Sequence, residues 1–144
     1  MNAKRAPEAR VLVLDSWAVM AWLRDEPAAH RIDQLWSQAA AGQTRLLISA
    51  INLGEVFYLT TRWRSLRDAE LVLRQMQEMP LEVRPAPNPL IFEAARLKAV
   101  HRLSYADAFA VATAVREAAP LVTGDLEMKA LEEKGVLMLD WVRS

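Results

Sequence analysis

The chain contains no cysteine. A chain without thiols cannot form disulfides, use a thiolate nucleophile or build cysteine-based zinc and iron–sulfur sites. Glycine is also scarce, with four residues. Neither a P-loop nor a G-x-G-x-x-G pattern is present, so nothing favours a glycine-rich cradle for nucleotide phosphates. A G-x-S-x-G nucleophile elbow is missing as well, which disfavours a serine hydrolase of that type.

Neither sign of charge is in excess. The chain has 18 basic and 18 acidic residues, and its formal net charge is zero. General electrostatic attraction to nucleic acid is therefore excluded, and any phosphate-binding surface must be a local patch. No apolar run approaches the roughly 18 residues needed to span a bilayer, and residues 1–10 have no apolar core of a signal peptide. We expect a cytoplasmic protein that does not bind membranes.

Short apolar runs alternate with segments of helical spacing. Strands are predicted at 11–14, 45–49, 81–83, 120–123 and 136–139. Helices are predicted at 16–26, 28–42, 51–63, 65–79, 89–100, 104–118 and 126–134. This alternation predicts an α/β sandwich with parallel strands. With 53% hydrophobic residues, we expect one domain over residues 1–144, preceded by a flexible segment at 1–9.

Four acidic residues fall at the ends of strands or the starts of helices. Asp15 follows the first strand directly, and Asp125 follows the fourth after one glycine. Glu55 and Asp107 are predicted in the first turns of their helices. Ligands of open parallel sheets bind beyond the carboxyl ends of the strands, so we expect all four carboxylates at one edge of the sheet.

Each acid also has an ordinary structural interpretation. Asp15 and Asp125 can be N-caps, and the motifs S-x-x-D at 104–107 and N-x-x-E at 52–55 resemble capping boxes. Four independent caps, however, have no reason to share one end of one sheet. Carboxylates gathered there repel one another, and a hard divalent cation such as Mg²⁺ neutralises them with oxygen ligands. The set therefore favours metal-assisted phosphodiester hydrolysis.

Two of the four glycines lie beside these acids. Gly124 is interpreted as allowing a sharp turn from the strand to Asp125. Gly54, inside a predicted helix, should cost about 1 kcal/mol relative to alanine. Close approach of backbone or substrate would explain that cost.

The motifs VLVLDS, SAINLGEV, LSYADAFAVATA and LVTGD, taken in this order, resemble those of PIN-domain ribonucleases, and most closely the VapC-type toxins of bacterial toxin–antitoxin pairs. The resemblance implies a single PIN domain with a three-layer α/β/α sandwich and a central, mainly parallel sheet of about five strands. It also implies a Mg²⁺- or Mn²⁺-dependent endoribonuclease that acts on RNA, is inhibited by a small cognate antitoxin and forms a homodimer.

Carried over residue by residue, the resemblance assigns the metal and catalytic quartet to Asp15, Glu55, Asp107 and Asp125. Four polar residues match supporting positions: Ser16, Asn52, Ser104 and Thr123. The chain departs from the family pattern at Trp17, where a small or polar residue is usual. It also has Glu127 but no aromatic residue soon after T-G-D, which leaves the support of the fourth carboxylate open.

Three arginines, Arg62, Arg64 and Arg67, cluster at a predicted helix–helix junction around Trp63. They can contact RNA phosphates while Trp63 stacks on a base. The competing interpretation is a solvated turn with Trp63 packed inward.

Two other functions compete with the ribonuclease. One is a non-catalytic or degenerate PIN-like module that binds RNA or a protein partner. The other is a response-regulator receiver, which is disfavoured because VLVLDS supplies one acid rather than a pair and no lysine accompanies LVTGD.

Overall fold

Five strands and seven helices alternate along residues 8–143, the part of the chain that the computed structural model describes. The strands are β1 (Arg10–Leu14), β2 (Thr44–Ser49), β3 (Leu81–Arg84), β4 (Leu121–Thr123) and β5 (Leu139–Trp141). The helices are α1 (Ser16–Leu23), α2 (Ala29–Ala40), α3 (Ala50–Trp63), α4 (Leu66–Glu78), α5 (Asn88–Val100), α6 (Tyr105–Arg116) and α7 (Leu126–Glu133). Most of the expected N-terminal segment, residues 1–7, lies outside the described residues.

The strands form one sheet in the order β3-β2-β1-β4-β5, and every neighbouring pair is parallel. The predicted α/β architecture is thereby confirmed. β1 is central, and its last residue, Leu14, pairs with Ile48 of β2 on one side and Val122 of β4 on the other. The carboxyl ends of these three strands therefore lie side by side, which is where Asp15 and Thr123 are found.

Alternation of side chains along the strands produces two separate cores. Leu12 and Leu14 pack on one face of the sheet with residues of α1, α2, α3 and α4. Val13 packs on the other face with residues of α5, α6 and α7. Successive side chains of a strand point to opposite faces, so the unbroken apolar run from Val11 to Leu14 in β1 is what a strand covered by helices on both sides requires.

Helix α6 is the most buried helix of the second core. Its residues from Ala108 to Ala114 are all buried, as the run of small and apolar side chains predicts. Asp107 directly precedes this run and is half-buried. Burial of the helix therefore places one carboxylate at the boundary between core and solvent.

The prediction of a fifth strand at 136–139 is wrong in position, because β5 spans Leu139–Trp141. Gly135 adopts φ +74°, and the amide of Val136 donates to the carbonyl of Leu131 at 3.0 Å. This bond closes the C-terminus of α7 in the manner of a Schellman motif. The apolar run thus first completes the helix end, and strand pairing begins only at Leu139, opposite Leu121.

Within residues 8–143, no helix combines the length and the apolar character needed to cross a bilayer.

The space beside Gly54 in α3 is open, because a Cβ atom at this position would have no other atom within 4 Å. Close approach of backbone is therefore not the reason for this glycine. We expect Gly54→Ala to raise the free energy of unfolding by about 0.5–1 kcal/mol, because alanine loses less backbone entropy in a helix. Gly42→Ala should lower it, because φ is +76° there. Urea unfolding of both variants checks this, and a destabilised Gly54→Ala would contradict it.

Candidate metal centre

Asp15 begins α1 and is completely buried. Its Oδ1 accepts a hydrogen bond from the amide of Ala18 at 2.9 Å, and its Oδ2 accepts one from the hydroxyl of Thr123. Burial raises the pKa of Asp15 to about 7; the two hydrogen bonds lower it, and the charges of Asp107 and Asp125 raise it further. Asp15 is thus an N-cap, and it also senses the charge of two acids that are distant in sequence.

Asp125 begins α7 in the same way. Its Oδ1 accepts from the amide of Glu127 at 3.0 Å, while its own amide donates to the hydroxyl of Thr123 at 3.1 Å. The Thr123 side chain therefore contacts both Asp15 and Asp125. One hydroxyl at the end of β4 fixes the spacing between two of the predicted acids.

Asp107 lies in the first turn of α6, where the Ser104 hydroxyl accepts its backbone N–H at 3.1 Å. The pKa of Asp107 is raised to about 6, mainly by burial and next by the negative charge of Asp125. The Ser104 side chain lowers this pKa, and the charges of Glu55 and Glu127 raise it further. Within residues 8–143, no backbone N–H donates to the Asp107 carboxylate, so only half of the predicted capping box forms. The carboxylate remains available to a ligand.

Carboxylate oxygens of Asp107, Asp125 and Glu127 lie within 4.8 Å of one another. This acidic grouping includes Glu127, whose role the sequence left open. Glu127 is the second residue of α7, so the turn that Asp125 caps brings it beside Asp107. Three carboxylates at this spacing can hold one hard cation.

Glu55 occupies the second turn of α3 rather than the predicted first turn, because Ser49 caps the helix by accepting the amide of Ile51 at 3.2 Å. The capping-box interpretation of residues 52–55 is therefore wrong. The Glu55 carboxylate instead accepts the hydroxyl of Ser16 and, at 3.4 Å, that of Tyr58. The Ser16 contact is tertiary and joins α1 to α3, whereas the Tyr58 contact lies within α3.

Asn52 links the two helices that carry Glu55 and Asp107. It is fully buried, and its Nδ2 donates to the carbonyl of Ala106 at 2.9 Å. Its Oδ1 finds no donor within residues 8–143. This hydrogen bond joins α3 to the first turn of α6, and Asn52 does not line the acidic cleft.

Three of the four predicted acids line a cleft of about 300 Å³, whereas Asp15 and Glu127 do not. Its acidic residues are Glu26, Glu55, Asp107 and Asp125. The ion pairs found within residues 8–143 all involve other acids, namely Glu82, Glu93, Glu117 and Asp140. None of the cleft acids therefore forms an ion pair with a basic side chain. An oxygen-only donor set of this kind fits Mg²⁺ or Mn²⁺.

Trp17, the departure from the family pattern, explains Gly124. A Cβ at Gly124 would overlap three ring carbons of Trp17, and φ of Gly124 is outside the left-handed region. The sequence suggested that Gly124 allows a sharp turn. The structure shows instead that the glycine is required for close packing against Trp17. The indole packs directly on the backbone that leads into Asp125.

Arg62, Arg64 and Arg67 are all exposed, at the end of α3 and the start of α4. Trp63 is 39% exposed and is not packed inward. The guanidinium of Arg64 lies 4.6 Å from the centre of its ring, and that of Arg24 lies 5.5 Å away. The sequence missed Arg24, which lines the acidic cleft. Its helical spacing from Trp17 was the available signal, because positions i and i+7 share a face.

A PIN domain family model matches residues 12–134. No curated protein sequence matches the chain significantly. Solved structures do: VapBC2 from Rickettsia felis bound to a promoter DNA fragment has a TM-score of 0.69 and 18% identity, over 92% of this chain and 99% of that chain. DNA-bound VapBC from Salmonella typhimurium has a TM-score of 0.69 and 14% identity, and the match covers 93% of this chain and 99% of that chain.

A third structure, VapC20 from Mycobacterium tuberculosis, a sarcin–ricin loop cleaving toxin, has a TM-score of 0.67 and 20% identity, over 83% of this chain and 93% of that chain. At such identities the similarity establishes the fold. The three-layer α/β/α sandwich predicted from the motifs is therefore confirmed.

Stability of the metal-free protein should depend on pH through Asp15. Folding raises its pKa from 3.8 to about 7, so between these values the folded protein binds a proton that the unfolded chain has released. The free energy of unfolding therefore falls as pH rises through this window. We expect Asp15→Asn to flatten this dependence and to raise stability above pH 7 by about 1 kcal/mol or more.

Urea unfolding in EDTA over a pH series measures this effect, with the exposed Glu70→Gln of α4 as the matched control. An Asp15→Asn protein whose stability follows pH as steeply as that of the control would contradict the protonated, buried state of Asp15.

Proposed function

Because the chain belongs to the PIN domain family, we propose that it is a metal-dependent endoribonuclease that hydrolyses RNA phosphodiester bonds with water as the nucleophile. The observation that carries this proposal is the grouping of Asp107, Asp125 and Glu127 within 4.8 Å. Asp15 and Glu55 are coupled to that group through charge. Such carboxylates at the carboxyl edge of a parallel sheet suit a cation and a phosphodiester together.

The proposed metal is Mg²⁺ or Mn²⁺. Asp107 and Asp125 would bind it with Glu127, and Asp15 and Glu55 would contribute directly or through water. When bound, the cation supplies Lewis-acid activation of water and screens negative charge on the phosphodiester. A bound cation would favour the ionised form of Asp15 and Asp107, and would so oppose the rise in pKa that burial and neighbouring charges cause in both groups.

The supporting residues hold these acids in place. Thr123 fixes Asp15 and Asp125 through one hydroxyl, and Ser16 orients Glu55. Ser104 caps α6, and Asn52 links α3 to the backbone beside Asp107. In this proposal they pre-organise the carboxylates, so that little rearrangement is needed when the cation and RNA bind.

RNA must approach an acidic cleft, so cations at the rim have to offset the repulsion. Arg62, Arg64 and Arg67 are exposed and close in sequence, and we assign them to phosphate contacts outside the catalytic group. Exposed arginines are suited to this because the guanidinium fork matches phosphate oxygens.

We further propose that the protein is the toxin of a toxin–antitoxin pair, acts in the cytoplasm as a homodimer and is inhibited by a small cognate antitoxin. The support is the structural similarity to chains of VapBC toxin–antitoxin complexes from Rickettsia felis and Salmonella typhimurium.

Asp107→Asn should lower the rate of Mg²⁺-dependent RNA cleavage by at least about 100-fold. Loss of a metal ligand reduces activity more than loss of a residue that only hydrogen-bonds to a ligand. Asp68→Asn, the same change in the first turn of α4, should cleave like the wild type. EDTA should abolish cleavage, and products should carry 5′-phosphate and 3′-hydroxyl ends if water attacks phosphorus and the 3′ oxygen is the leaving group. Gel analysis of a broad RNA panel measures all three.

Full activity in Asp107→Asn would refute the catalytic assignment. RNA binding by the wild type without cleavage of any RNA in the panel would instead favour the non-catalytic module.

Induced expression of the wild-type chain in a bacterial host should arrest growth, and Asp107→Asn at equal protein level should not. Growth curves with immunoblots of both strains measure this. Equal arrest by both proteins would show that toxicity does not depend on the proposed chemistry.

A further inference from the structure

One face of α1 lines the acidic cleft. Trp17, Met20, Ala21 and Arg24 all contribute to its wall, as the helical spacing of three and four residues requires. Arg24, the C-cap of α1, is the only basic residue in that wall among residues 8–143. Trp17 and Arg24 are seven positions apart, so Arg24 lies about 10 Å along the helix axis from Trp17.

The Arg24 side chain contacts an aromatic ring and not the acids around it. Within residues 8–143 it forms no ion pair, although Glu26, Glu55 and Asp107 line the same cleft. Its guanidinium lies 5.5 Å from the ring centre of Trp63. A guanidinium stacked on a ring keeps the N–H donors at its edge free for hydrogen bonding.

The helix end does not need this side chain. The C-cap of α1 is made by the backbone N–H of Arg24, which donates to the carbonyl of Met20 at 2.9 Å, and any residue except proline provides that group. Trp63 is likewise exposed at 39% and adds little to the core. A second guanidinium, that of Arg64, lies 4.6 Å from the same ring. The three side chains thus form a cationic and aromatic group at the cleft.

We propose that Arg24, positioned by Trp63, forms a phosphate-binding subsite for single-stranded RNA, next to the phosphodiester that is cleaved. This inference rests on the proposed ribonuclease function and names the part of the cleft that binds the strand. An anion suits this position because the N–H donors of Arg24 are exposed and carry positive charge. A flexible single strand fits best, because its backbone can follow the wall of the cleft.

Arg24→Gln should weaken RNA binding about tenfold, the loss expected for one charge-assisted contact. It should also reduce the slope of log affinity against log salt concentration by about 0.7, the value for one phosphate contact on a single strand. Fluorescence anisotropy with a short labelled single-stranded RNA of mixed sequence measures both, in the Asp107→Asn background with Mg²⁺. Arg96→Gln on α5, which packs on the other face of the sheet, is the matched control.

Trp63→Leu tests the positioning role. If the ring acts by holding Arg24, the double variant Arg24→Gln/Trp63→Leu should bind RNA no more weakly than Arg24→Gln alone. Arg24→Lys should retain the salt slope while recovering only part of the affinity, because lysine keeps the charge and lacks the fork. Additive losses in the double variant would overturn the positioning role of Trp63.

In cleavage assays without the Asp107→Asn change, Arg24→Gln should raise KM with little change in kcat. Equal binding and equal KM for Arg24→Gln and Arg96→Gln, with a wild type that cleaves RNA, would refute the subsite and leave the ribonuclease standing. A wild type that cleaves no RNA would refute the ribonuclease itself. Loss of a co-expressed protein partner from Arg24→Gln, with RNA affinity unchanged, would identify a protein-binding surface and overturn the proposal.

Discussion

Repulsion between carboxylates is the constraint on which the rest of this structure depends. The parallel order of β2, β1 and β4 brings Asp15 and Asp125 to one edge of the sheet, and α6 adds Asp107. Burial disfavours the charged form of a carboxylate, and neighbouring like charges add to this cost; the raised pKa values of Asp15 and Asp107 record both effects, with burial as the larger one. Three features offset it: hydroxyls at neighbouring positions, backbone amides, and the N-termini of α1, α6 and α7, whose dipoles favour negative charge.

Capping and ligand binding are not alternatives in this fold. Asp15 and Asp125 each accept a backbone amide through Oδ1, as ordinary N-caps do. The second oxygen of Asp15 meets Thr123, so the cap also fixes the orientation of the carboxylate. The local rule that places acids at helix starts therefore supplies the rigidity that a metal site requires. Glu55 is the exception, since it caps no helix and accepts hydrogen bonds from the hydroxyls of Ser16 in α1 and Tyr58 in its own helix.

Much of the fold follows from local pattern. The apolar β1, the small residues of α6 and the glycine and proline stops predict most elements to within a few residues, and strand topology then predicts where Asp15 and Asp125 meet. Two kinds of feature could not be predicted from the sequence. The apolar run after Gly135 looks like a strand along its whole length, but its first half packs as a helix end and core contact. The groupings of Glu127 with Asp107 and of Arg24 with Trp63 depend on how separate helices are oriented, which a single sequence does not encode locally.

The packing of Trp17 on Gly124 ties two sequence positions to each other. A large ring at position 17 is compatible only with the smallest residue at 124, and a smaller residue at 17 would leave a void beside the backbone that carries Asp125. Substitution at either position alone is therefore unfavourable. A smaller residue at 17 combined with a larger residue at 124 can keep the space between them filled. Homologous chains should accordingly show covariation at this pair, although neither residue belongs to the proposed metal-binding set.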